Sequence, residues 1–199
     1  MRQLSLCLGV ALVFVSVLIA NGQEQDVKLV SVTARDIKLD VPESWKQLKS
    51  TSQMRVAEFA IPATEAKGEG AEMVVYYFGD QTGGKKANVQ RWIDQFYEDG
   101  RKHELVGGKC RDGSYVLVSI SGTYKKPDGP PAEQKTIDKP GSRVVGVVLV
   151  AERDAAEEYY FLKLSGPESL VTAHVSALRN AFGVEKDSEK PLNIEELGD

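Results

Sequence analysis

Apolar residues in this chain keep changing their period, from the alternation of a strand to the three- and four-residue spacing of a helix and back, and this mixture defines an α+β fold. Ile37-Lys38-Leu39-Asp40-Val41 alternates and stops at Pro42, which cannot donate to a sheet ladder. Met54 to Ile61 follows and is closed by Pro62. Met73-Val74-Val75-Tyr76-Tyr77-Phe78 is apolar on both faces, which suits a central strand covered on each side. Val89, Trp92, Ile93, Phe96 and Tyr97 then form one helical stripe, with Asn88 as the expected cap and Asp99-Gly100 as the expected stop.

The second half repeats the alternation. Tyr115 to Tyr124 and Val144 to Ala151 are rich in valine, and Glu158 to Leu164 carries Tyr159, Tyr160, Phe161 and Leu162, all good strand formers. Ser165-Gly166-Pro167-Glu168 reads as a capping box, and Val171, Val175, Leu178 and Phe182 form the stripe of a last helix that Gly183 stops. Between Lys125 and Ser142 lie eighteen residues with four of the eight prolines. Loops beyond about 12 to 15 residues tend to be functional or disordered, so this segment is expected to project as a partner-contact loop or a solvated insertion.

The N-terminus has the layout of a secretory leader: Arg2, an apolar run from Leu4 to Ala20, and small Ala20 and Gly22 before a cut at Gln23. Residues 1–22 are therefore read as a signal peptide of an exported, periplasmic or extracellular protein. A retained membrane anchor is the alternative. Cleavage leaves 199 − 22 = 177 residues, enough for one domain (residues 23–183) followed by an acidic tail (184–199) expected to be disordered. The mature chain carries 24 − 29 = −5 formal charges, which gives no electrostatic case for nucleic acid or an anionic membrane surface. Its single cysteine, Cys110, excludes an intramolecular disulfide.

Several short blocks look familiar together. Met54-Arg55-Val56-Ala57-Glu58-Phe59, Tyr76-Tyr77-Phe78-Gly79, Arg91-Trp92-Ile93, Ser121-Gly122-Thr123-Tyr124, Pro140-Gly141 and Tyr159-Tyr160-Phe161 resemble an uncharacterised family of exported bacterial proteins found notably in planctomycetes. The order of elements is similar to the Mog1/PsbP-like fold, an antiparallel sheet flanked by helices. The resemblance implies an accessory or binding role and carries over no catalytic residue.

Motifs that could carry chemistry have simpler readings. Gly79 to Lys85 fits G-x-x-x-x-G-K, but Lys86 replaces the hydroxyl that would hold magnesium, so a Gly-rich connection is expected. His103 reads as a solvated loop residue and His174 as a satisfied boundary histidine; neither has a second ligand at metal-binding spacing. Cys110 reads as a buried thiol, and Glu157-Glu158, Glu152 with Asp154, and Asp94 with Glu98 as solvated faces. No cofactor or metal is expected. A single α+β domain that binds an envelope or extracellular protein is the resulting expectation, with Trp45 at a rim and Tyr124, Lys125 and Lys126 at the root of the long loop as candidate contacts. A hydrolase with an unrecognised acid pair, or a small-ligand carrier, is the alternative class.

Overall fold

The computed structural model describes residues 27–50, 52–79, 83–129, 135–153 and 156–198; the expected leader lies outside them, as does the centre of the Gly79–Lys85 motif. Strands β1 (Leu29–Ala34) and β2 (Ile37–Pro42) form a hairpin ribbon, turned at Arg35 with φ 56°. The remaining strands are β3 (Lys46–Gln47), β4 (Arg55–Ile61), β5 (Ala71–Tyr77), β6 (Lys102–Cys110), β7 (Gly113–Pro127), β8 (Thr136–Glu152), β9 (Glu157–Pro167) and β10 (Lys190–Pro191). They pair antiparallel in the order β10-β6-β7-β8-β9-β5-β4-β3. Helix α1 (Lys85–Asp94) lies on one face, and helix α2 (Glu168–Ala181) with the β1–β2 ribbon on the other. The expected α+β domain, an antiparallel sheet flanked by helices, is what the chain forms.

Coverage on both faces explains the runs without alternation. Val145, Val147 and Leu149 of β8 point into the core beneath α2 with Val171, Leu178 and Phe182, while Val144 and Val148 point toward Val89, Trp92 and Phe96. A strand buried twice needs apolar residues at every position. Gly146 is the exception for a steric reason: a Cβ there would stand 2.3 Å from the Trp92 ring, which lies on the sheet at that point.

Local signals were overruled where strand pairing competed with them. Ser165 does not cap α2, because β9 runs on to Pro167 in register with Ser142, and the Ser165 hydroxyl donates to Glu72 Oε1 at 3.3 Å. Asn88 is not the cap of α1 either. The helix starts at Lys85 behind Gly84 (φ 71°), and the buried Asn88 amide donates to the Gly84 carbonyl at 2.6 Å from inside the first turn. At its other end α1 stops at Asp94, earlier than the stripe implied. Residues 95–97 peel away to pair with β7 through Lys125 N–H to Gln95 O (2.7 Å) and Tyr97 N–H to Thr123 O (3.1 Å).

Two larger expectations are corrected. The described residues between Lys125 and Ser142 are not an excursion: β7 and β8 continue as a two-stranded arm, Tyr124 opposite Lys139 and Pro127 opposite Thr136, past a bulge at Gly122. The expected tail 184–199 is, over its described residues 184–198, not a free tail. Its backbone bonds along β6, with Glu185 N–H to Lys109 O (3.0 Å) and Leu192 N–H to Leu105 O (3.0 Å), while Leu197 is buried beside α1. Its few apolar residues are spaced to reach the core, and its backbone donors cover an otherwise open sheet edge.

Candidate functional site

The residues singled out from sequence do not converge. Trp45 is in the core, not at a rim: it is 3 % exposed, its indole N–H donates to His174 Nδ1 at 3.2 Å, and its ring meets Phe59 at 6.3 Å. Burial lowers the His174 pKa, and accepting from Trp45 holds Nδ1 unprotonated. His103 lies on strand β6 and is exposed. The Cys110 thiol is buried, and desolvation raises its pKa. Glu157 and Glu158 accept from Tyr159 and Tyr77 hydroxyls at 3.0 and 3.3 Å. Among the described residues no cluster of histidine, cysteine and carboxylates could hold a metal ion.

Tyr124, Lys125 and Lys126 do share a location, at the root of the arm. Lys125 turns outward, its ammonium 5.3 Å from the Tyr97 ring. Tyr124 turns inward and is 5 % exposed, its ring 5.1 Å from Phe96. Beneath it lies a residue that the sequence reading passed over, Lys163 on β9. The Lys163 ammonium donates to Gln95 Oε1 at 2.7 Å and to the Tyr124 hydroxyl oxygen at 2.8 Å.

The sheet creates this environment. Lys163 sits between Leu162 and Leu164, whose side chains enter the core under α2, so its own side chain must leave on the α1 face. There α1 has just ended, and Gln95, its C-terminal cap residue, is in reach. The residue keeps some exposure, but its ammonium stands among enough protein atoms for desolvation to lower its pKa to about 8, against the partly opposing pull of Glu72. The Tyr124 phenol is pushed up by the same burial and stays protonated.

Two adjoining cavities, of about 230 and 100 Å³, share Glu72, Tyr124, Lys126 and Ser165 as lining residues. Lys139, ion-paired to Glu69 at 3.1 Å, borders the larger. Arg55, ion-paired to Glu58 at 3.0 Å, and Lys163 border the smaller. Lys126 has no carboxylate partner among the described residues. The arm thus roofs a small polar cleft into which phenol, ammonium and guanidinium donors converge. A wider groove of about 640 Å³ between β6 and the C-terminal segment collects Glu104, Glu195 and Glu196 with His103, without such convergence.

No family model matches the chain, and no curated protein matches it. Among solved structures it is similar to cyanobacterial PsbP (CyanoP) from Synechocystis sp. PCC 6803, at 14 % identity over 88 % of this chain and 99 % of that one, with a TM-score of 0.41. A likeness of that size says nothing about site or activity, and the cleft must be read from its own residues.

Proposed function

We propose that this is an exported accessory or binding protein that contacts another envelope or extracellular component through the arm and the cleft at its root. The observation that carries the reading is the cleft itself. Its cavities of about 230 and 100 Å³ lie beneath the arm, and the phenol, ammonium and guanidinium donors that converge on them suit an acidic side chain or chain terminus presented by a larger partner. The arm beyond the bulge adds polar surface on which the rest of such a partner can lie, with Ile137 exposed at its edge.

The test is capture from native envelope extract. Tagged wild type should recover a partner that is lost when residues 127–139 are replaced by a short Gly/Ser linker, and weakened by Lys126→Glu. The described residues of 127–138 are exposed and lie outside both core clusters, so the shortened protein should remain folded. Equal recovery by folded wild type and shortened protein would refute the reading.

A further inference from the structure

We infer that the cleft floor is a receptor for a single carboxylate, and that Lys163 makes its occupancy proton-linked. This rests on the binding role proposed above and names the chemistry recognised there. The first support is an incomplete set of hydrogen bonds. Tyr124 accepts from Lys163, yet its own proton has no acceptor among the described residues although the side chain is 95 % enclosed, the complement of its 5 % exposure. Lys163 has three donors and uses two, on Gln95 and Tyr124. A buried donor without an acceptor costs about 1 to 3 kcal/mol. One carboxylate oxygen placed between phenol and ammonium would satisfy both.

Charge and size point the same way. Arg55, Arg91, Lys126 and Lys163 act on this spot against Glu58 and Glu72, so the floor is net positive. Glu72, engaged by Ser165, limits how much negative charge can enter beside it. The cavity of about 100 Å³ has room for a carboxylate head group. A phosphate is larger and carries more charge. The source can be a free small acid or an acidic residue of a partner protein, and the two are separable by experiment.

Proton linkage follows from the same geometry. The groups facing Lys163 are Glu72 and Tyr76 from β5, Arg55 from β4, Arg91 from α1, and Tyr124 and Lys126 from the arm. Of the charged groups only Glu72 favours the ammonium, while the cations and burial oppose it. A bound carboxylate adds a second favourable charge and raises the Lys163 pKa above its free value of about 8. Affinity is then highest below about pH 8 and falls by up to tenfold per pH unit above it, until the bound-state pKa is reached.

The test titrates acetate, and separately a capped peptide bearing one glutamate, into the full mature protein by calorimetry at pH 7, 8 and 9. Saturable binding is expected, with proton uptake above pH 8 and several-fold loss from pH 8 to 9. Lys163→Gln should bind weakly without that pH step, and Tyr124→Phe should weaken binding while retaining it. A preference for the peptide assigns the source to a partner segment, and one for acetate to a free acid; either supports the receptor. Inorganic phosphate binding as well as acetate, an unchanged pH step in Lys163→Gln, or binding that Tyr124→Phe does not weaken, overturns it. If neither acid binds while arm-dependent capture persists, this inference falls and the binding role stands; if capture is also arm-independent, both fall.

Discussion

Replacing Lys163 by methionine should make the unliganded protein more stable at neutral pH. A lysine with a pKa of about 8 in the folded state and 10.5 when free is held charged at pH 7 at a cost of about 3 kcal/mol, an upper figure because the residue is not fully enclosed. Its two hydrogen bonds, to Gln95 and Tyr124, return about 1 kcal/mol each. The variant, similar in length and uncharged, should therefore gain about 1 kcal/mol at pH 7. The sign with pH follows from the lowered pKa: the destabilisation is fully present below about 8 and fades as pH rises toward 10.5. The two proteins should be equally stable near roughly pH 9, and wild type the more stable by about 1 kcal/mol at pH 10. Urea denaturation of both proteins across that range reads the difference directly. A variant less stable by 2 kcal/mol or more at pH 7, or a difference that does not change with pH, would show that Lys163 is a structural hydrogen-bond donor and not a charge retained at a cost.

Removing residues 186–199 should cost about 2 to 4 kcal/mol, because Leu192, Ile194 and Leu197 leave the α1-side core, and should promote association through the bared edge of β6. Unchanged urea midpoint and light scattering would contradict this. Wild type should also lose stability as pH falls below about 6.5, since the lowered His174 pKa lets the unfolded chain take up the proton first. His174→Gln, whose amide oxygen can still accept from Trp45, should remove that part of the acid dependence; parallel acid profiles would place its origin elsewhere.

What was legible in the sequence, and what was not, divides along one physical line. Met73 to Phe78 and Val144 to Ala151 announced central strands because burial on both faces leaves no freedom in composition, and the stripes Val89-Trp92-Ile93 and Val171-Leu178-Phe182 announced helices for the same reason. The arm was missed because beyond Gly122 most of its residues face water: a ribbon built from Lys125 opposite Asp138 and Lys126 opposite Ile137 has no apolar alternation to display. Strand β6 was missed because Gly107-Gly108 reads as a turn. In the structure a Cβ at Gly107 would stand 2.5 Å from Leu192, so the glycine serves the C-terminal segment that packs over it, a segment whose acidic composition hid Leu192, Ile194 and Leu197. Misreading β6 and misreading the tail were thus one error, since each is intelligible only with the other in place.

The cleft divides in the same way. Lys163 was visible in principle, as a lone cation between Leu162 and Leu164 in a strand whose neighbours implied cover on both faces. Its partners were not visible, because Gln95 and Tyr124 lie 68 and 39 residues away and are brought together by the early end of α1. That early end leaves the α1-side face open beside β9, and the arm closes the gap with a phenol in place of another apolar side chain. A sheet otherwise filled to the requirement of two buried faces thus keeps a cation and an unspent hydroxyl proton at the one place where a helix stops short. The pH profile of Lys163→Met decides whether that charge is held at a cost to stability.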